Sequence, residues 1–146
     1  MTQLNEKVLD ALYAGELSDA QQYVSQGANV DASDAEGNPL LYQTAMSGNF
    51  EIAAFLLENG ADPEIRGSGG VSPLMMAAYS GYTPIVALLL KHGAKAEGRS
   101  DDGWDMEDWV DASDYQTQEI RALLANPGLA VAYVPPADFL REWNDD

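Results

Sequence analysis

Residues 37–62 read GNPLLYQTAMSGNFEIAAFLLENGAD, residues 70–95 read GVSPLMMAAYSGYTPIVALLLKHGAK, and the second stretch lies over the first at an offset of 33 residues. The same step carries Gly15 to Gly48 and Gly81, and Gly27 to Gly60 and Gly93. It also leads from Gly37 and Gly70 to Gly103, where a looser copy begins with GWDMEDWVDASD. A fixed period of this length marks a repeat architecture: one unit cannot bury its own apolar face, and a stack of units buries it continuously.

Within a unit the pattern predicts two short antiparallel helices. Leu40, Leu41, Ala45 and Met46 precede Gly48, and Ile52, Ala53, Phe55, Leu56 and Leu57 recur at helical spacing up to Gly60. Glycine enters the left-handed region without steric cost, so Gly48 and Gly60 read as helix stops, with Asn59 and His92 as ordinary last-turn residues. The segments between units, DASDAEGN and EIRGSGGVS, are polar and turn-rich, as projecting hairpins are. Gly67, Gly69 and Gly70 are not followed by the Lys and Ser or Thr of a phosphate-binding loop, and predict a flexible hairpin instead.

These features resemble the ankyrin repeat family, whose unit of about 33 residues opens its first helix with Thr-Pro-Leu-His and closes its second with Gly-Ala-Asp. The resemblance covers roughly residues 4–126. It is most specific at Ser72, Pro73, Leu74, Ala77, Ala78, Gly81, Val86, Leu89, Leu90, Gly93 and Ala94, followed by Gly60, Ala61 and Asp62. It implies an all-α fold, an ankyrin-repeat solenoid of stacked helix-turn-helix units joined by short hairpin loops. The units fall at roughly residues 4–36, 37–69, 70–102 and 103–126. It further implies a module that binds proteins on its concave side, through hairpin tips and the exposed face of each first helix, without chemistry of its own.

Departures from the family pattern concentrate at the ends. The His of the start motif is replaced by Tyr42 and Met75, and Pro39 stands where the family has Thr, so the hydrogen bonds that begin that helix are expected to differ. The first unit lacks its opening hairpin. In the fourth, Val110 and Asp111 replace the Ala-Ala pair, and one inserted residue restores the phase of Ile120, Leu123 and Leu124. Terminal units of a solenoid need polar outer faces, which accounts for such degeneracy. The repeat domain is therefore placed at residues 1–126 and a C-terminal extension at 127–146. Pro127 and Gly128 mark the boundary, Pro135 and Pro136 force an extended stretch, and Phe139, Leu140 and Trp143 predict a short helix docked on the last repeat. A peptide that protrudes toward a partner is the alternative.

Composition narrows the class. A length of 146 residues is enough for one domain with a real core. Seven Lys plus Arg against 24 Asp plus Glu give a net charge of −17, which repels nucleic-acid phosphates and anionic lipid heads and argues against direct nucleic-acid binding. An apolar content of 46% is too high for an acidic disordered chain, so the acids decorate a folded body. The absence of cysteine excludes disulfides and thiolate metal sites. The longest aliphatic run, residues 85–90, is far shorter than the roughly 20 residues of a membrane span. MTQLNEKVLD lacks the basic start and apolar core of a secretory leader. A soluble cytoplasmic chain, monomeric when free, is expected.

The charge is concentrated: residues 97–119 hold nine acids and one Arg, a net −8. Projected onto the family's binding side, the helix-face positions run Asp10, Gln43, Met76, Trp109 in one row and Tyr13, Met46, Tyr79, Ala112 in the next. Trp104, Trp109, Met76, Tyr79 and Tyr82 then form an aromatic, Met-rich patch beside Asp101, Asp102, Asp105 and Asp108, with Tyr13 and Met46 extending it. Such a surface suits a basic protein partner, with rigid rings as anchors and acids that speed its approach. The alternative packs both tryptophans into the core of an irregular cap.

Two roles follow. One is an inhibitor, an immunity protein or antitoxin that covers the basic groove of a nuclease-like toxin; the other is a regulatory or assembly factor whose charge serves solubility. Catalysis finds no support. His92 is the single histidine and stands just before a helix-ending glycine, and no nucleophile, base and orienting group converge. Neither DASDAEGNPLLY nor SDDGWDMEDWVD matches a calcium loop. No enzyme activity, metal or cofactor is expected.

Overall fold

The computed structural model describes residues 3–115 and 117–136. Among these residues eight α-helices follow in order: α1 (Gln3–Tyr13), α2 (Leu17–Ser25), α3 (Leu40–Ser47), α4 (Phe50–Glu58), α5 (Pro73–Ser80), α6 (Thr83–Lys91), α7 (Met106–Asp111) and α8 (Gln118–Ala125). Short 3-10 turns occupy Ser68–Gly70 and Pro127–Ala132. The described residues contain no strand, only an isolated antiparallel bridge between Ser33 and Pro39 in the hairpin before α3.

The helices form two layers. Helix α5 packs between α3 and α7 in one, α6 packs between α4 and α8 in the other, and each early pair (α1 with α2, α3 with α4, α5 with α6) closes a unit. Side chains that face the space between layers are stripped of solvent: Leu12, Leu40, Leu41, Leu56, Leu74, Met75, Ile85, Leu89 and Ile120 are all fully buried. Each large aliphatic side chain so buried stabilises the stack by roughly 1.5–3 kcal/mol. Ala45, Ala53, Ala77 and Ala78 are buried too, and their small size lets neighbouring helices approach closely.

Helix ends follow local chemistry. Ser72 Oγ accepts the N–H of Met75 at 3.1 Å with Pro73 in the first turn, whereas α3 starts at Pro39 with no side-chain acceptor, as the missing Thr led one to expect. At Gly48 and Gly81 the backbone turns left-handed, with φ of 82° and 77°, and two residues suffice to start the next helix. The position 33 residues beyond Gly81 is Asp114, which cannot make that turn cheaply. Accordingly α7 stops early, at Asp111, and α8 begins only at Gln118. The end of α8 at Ala125 lies 34 residues beyond the end of α6 at Lys91, and Ile120 and Leu123 are buried like Val86 and Leu89, so the phase follows the single insertion read from the sequence while the connection between the helices is longer.

Two further features locate the site. Tyr42 and Met75, which replace the motif's His, are both buried, and the Tyr42 ring lies directly against Gly67. Beyond α8, Pro127–Ala132 packs on α6 and α8, burying Ala130 and partly burying Tyr133. Phe139, Leu140 and Trp143, the expected docking helix, lie outside the described residues.

Candidate functional site

The hairpins that project between units are tied to one another. Arg66 donates to the carbonyl of Gly70 at 2.6 Å, across its own hairpin, and to that of Arg99 at 2.8 Å, in the next. One period later Arg99 repeats the first of these bonds, donating to Gly103 at 2.7 Å. Ser68 donates its N–H and hydroxyl to Asn38 Oδ1, and the Asp101 N–H donates to the Gly69 carbonyl at 2.8 Å. The hairpin expected to be flexible is thus hydrogen-bonded on both sides, because glycine backbone there leaves carbonyls open to Arg66 and Asp101. The equal spacing of Arg66 and Arg99 was the available signal.

On the solvent side of the α1, α3, α5 and α7 layer, no residue of the two projected rows is fully buried. Asp10, Tyr13, Met46, Tyr79 and Ala112 are exposed, and Gln43, Met76 and Trp109 are half-buried. The two ends of this face differ in character. At the N-terminal end, Tyr13 donates its hydroxyl to Gln43 Oε1, while Gln43 Nε2 donates to Asp34 at 3.1 Å and to the Asn38 carbonyl at 3.0 Å. Partial desolvation, and then the Asp34 charge, raise the Tyr13 phenol above its ordinary value, which keeps that donor proton in place.

At the C-terminal end the face is aromatic. Trp109 meets Tyr79 edge to face with ring centroids 5.6 Å apart, and meets Trp104 at 5.1 Å with planes inclined by 61°. Trp104 is 41% exposed and Tyr79 38%, whereas Trp109 lies between them and touches the core. Neither sequence reading describes Trp109 fully: it is at once core support and part of the surface. Its Nε1 is buried without a hydrogen-bond partner among the described residues. Met76 lies on the same helix as Tyr79, within reach of the Ser80 hydroxyl at 3.8 Å. Tyr82 is placed apart from these ring contacts, its ring lying over Gly48 of the preceding unit, and Tyr115 lies over Gly81 in the same way.

The acids divide into two groups. Asp105 Oδ1 accepts the Asp108 N–H and Asp108 Oδ2 accepts the Asp105 N–H, both at 3.0 Å, a reciprocal capping box that starts α7. The Asp108 N–H is the main reason the Asp105 carboxyl is held below its ordinary value; the Asp108 side chain and Arg99 add to it. The spacing of the two carboxylates in DMED carried this signal, which the sequence reading passed over. Asp101, Asp102 and Glu107, by contrast, are exposed and have no side-chain partner among the described residues. The ion pairs here, Arg99 with Asp105 at 3.9 Å and Arg121 with Asp111, are solvent-exposed and contribute little.

Chemically this surface can anchor and steer. His92 caps α6 and is exposed, and the described residues contain no group of His, Asp or Glu arranged to hold a metal ion. A depression of about 690 Å³ beside α7 is rimmed by Glu97, Arg99, Asp105 and Glu107, none of them buried. No described helix is long and apolar enough to cross a membrane. A family model of ankyrin repeats, spanning three copies, matches residues 8–100. No curated protein matches the chain.

Proposed function

The chain belongs to the ankyrin repeat family, whose repeats generally mediate protein–protein interaction, and we propose that this member seats a basic protein partner on its aromatic, acidic C-terminal face. The observation that carries this reading is the connected set Tyr79, Trp109 and Trp104, in ring-to-ring contact, with the exposed acids Asp101 and Asp102 in the same hairpin as Trp104. Rigid aromatic side chains lose little freedom on binding and dominate interface energies once desolvated. Met76 and Met46 add adaptable apolar contact, and Tyr13 lengthens the face. The acids raise the association rate of a cationic partner and disfavour anionic ones.

The sharper form of the proposal is inhibition: an immunity protein or antitoxin occupying the basic groove of a nuclease-like toxin, competing with phosphate for its Lys and Arg. The charge of −17 motivates it. The test is capture of partners from nuclease-treated native lysate with stepwise salt elution, followed by binding measurements on the purified pair. A basic partner released at moderate salt, and lost with a Trp104→Ala/Trp109→Ala double variant, supports the reading. A neutral or acidic partner held through high salt overturns it.

A second reading, a regulatory or assembly factor whose charge serves solubility, draws on the capping box. Asp105 and Asp108 are engaged with backbone and are less free to meet a partner than their position in the sequence suggests. It requires that aromatic substitutions abolish binding while Asp101→Asn and Asp102→Asn change it little.

A further inference from the structure

We infer that residues 137–146 of this chain, the segment beyond Pro136, close the open end of the stack by docking in the groove between the last hairpin, α7 and α8. The inference goes beyond the protein-binding reading and does not depend on it. It starts from bonds that join each unit to the next and recur with the period. Asp31 Oδ1 accepts the Asp62 N–H at 3.0 Å, and 33 residues later Glu64 Oε1 accepts the Lys95 N–H at 2.6 Å. Arg66 in the same way donates to the Arg99 carbonyl of the following hairpin at 2.8 Å. One step further stand Glu97 and Arg99. Glu97 has no hydrogen-bond partner among the described residues, and Arg99 repeats only the bond within its own hairpin, to Gly103, beside a loose pairing with Asp105. The residues due to meet them on the same step, Gly128 and Ala132, belong to the turn Pro127–Ala132, which packs on α6 and α8 instead. The last unit thus carries an acceptor and a donor placed for the backbone of a neighbour that the repeats do not supply.

Between Glu97 and Arg99 and the end of α8 the surface is concave and apolar. The depression of about 690 Å³ beside α7 adjoins a second of about 340 Å³, and Ala96, Met106, Val110 and Leu124 form their common floor. The segment beyond Pro136 suits it in composition and position. Phe139, Leu140 and Trp143, which lie outside the described residues, bring three large apolar side chains, and its backbone offers N–H groups to Glu97 and carbonyls to Arg99. The chain reaches Pro136 from a turn packed on α8, with Tyr133 partly buried against the core, and α8 also lines the groove. Ten further residues can extend about 35 Å, against a length of about 12 Å for α8, so the whole groove is within reach. The tether also decides among occupants: a short linker gives its own segment an effective concentration of roughly millimolar, which a free peptide does not match. A second copy of this chain would bring another −17 to the same place.

The experiment uses the full-length chain with Trp104→Phe/Trp109→Phe, which leaves Trp143 as its only tryptophan. Trp143 emission is expected at short wavelength and shielded from acrylamide. Adding Leu124→Glu, which puts a charge on the groove floor, should shift that emission to the red and remove the shielding, and Glu97→Gln should do so in part; circular dichroism checks that each variant keeps its fold. Because the chain has no cysteine, cross-linking gives a second reading that leaves the floor intact. Under mild oxidation Asn144→Cys should form a disulfide with Ala125→Cys, at the groove, at least about fivefold faster than with Glu119→Cys, toward the opposite end of α8. Solvent-exposed Trp143 in the starting chain would leave the groove to a partner and overturn the inference. Shielding that Leu124→Glu leaves unchanged, equal cross-linking rates, or shielding that fades on dilution, which would mean docking on a second copy, would overturn it as well.

Discussion

Adding one methyl group at Gly81 tests how the fourth unit is held to the third. Gly81 has φ of 77°, and a Cβ built there would lie 2.6 Å from both Cβ and Cγ of Tyr115. Gly60 has φ of 90° with nothing near its missing side chain, so Gly60→Ala reports backbone strain alone. That strain costs about 1–2 kcal/mol. At Gly81 an overpacking term of about 1–3 kcal/mol is added. The Tyr115 ring is 62% exposed and can swing away, but its Cβ cannot. The Tyr115 N–H donates to Ser113 Oγ at 3.2 Å, and that hydroxyl donates to the Tyr79 carbonyl at 2.7 Å. The clash therefore pushes on the segment that fastens α7 to α5, the helices that carry Trp109 and Tyr79.

Urea unfolding followed by circular dichroism should place Gly81→Ala at least about 1 kcal/mol below Gly60→Ala. Tryptophan emission should change at lower urea than the helical signal, because Trp104 and Trp109 both belong to the fourth unit and neighbouring repeats can part company when their interface weakens. Adding Tyr115→Gly to Gly81→Ala removes the contacting Cβ, and the double variant should show a favourable coupling of about 1 kcal/mol or more. If Gly81→Ala costs no more than Gly60→Ala, Tyr115 does not hold the fourth unit in the way described.

Further outcomes follow from single side chains. Ser72→Ala removes the buried cap of α5 and should lower stability by about 1 kcal/mol, read as a shift in urea midpoint at constant slope. Trp109→Ala should cost about 2 kcal/mol, less than for a fully buried ring, whereas Trp109→Phe should stay within about 1 kcal/mol of the parent because it also deletes a buried N–H with no partner among the described residues; equal losses in the two variants would show that the N–H is well bonded. The folded pKa of Asp105 is lowered, so its contribution to stability is complete above the ordinary aspartate value of 3.8 and is lost as pH falls through the lower folded value. Acid titration of Asp105→Asn should accordingly show a shallower decline over that window than the parent, and parallel curves would count against the capping box.

Much of this architecture was legible because a period is a long-range signal carried by local residues. The apolar spacing in IAAFLL and IVALLL, with glycine at fixed intervals, specifies helix, stop and stack together, and the two layers follow. The last unit was less legible, since Asp114 breaks the glycine pattern and α7 ends where no aligned position predicts. The surface was legible in outline only. Projection placed Tyr13, Met46 and Tyr79 on an exposed helix face, where they lie, but ring-to-ring contacts depend on side-chain packing, so nothing in the sequence separated Tyr82, over Gly48, from the set around Trp109.

How a chain of this charge stays folded bears on what the charge is for. Many of its carboxylates meet backbone N–H groups: Asp31 accepts from Asp62, Asp34 from Glu36 and Asn38, Asp62 from Glu64, Glu64 from Lys95, and Asp105 and Asp108 from each other. All of these bonds are charge-assisted; most are local and two link successive units, so these acids strengthen the stack even as they add to its repulsion. Asp101 and Asp102 have no such task, and neutralising them should relieve repulsion without removing any bond described here. Asp101→Asn/Asp102→Asn is therefore expected to leave stability unchanged or slightly raised while slowing association with a basic partner, and Asp34→Asn/Asp62→Asn to do the reverse. Urea midpoints and association rates measured on both double variants would decide it, and a stability loss in the first pair would mean that those carboxylates are structural after all.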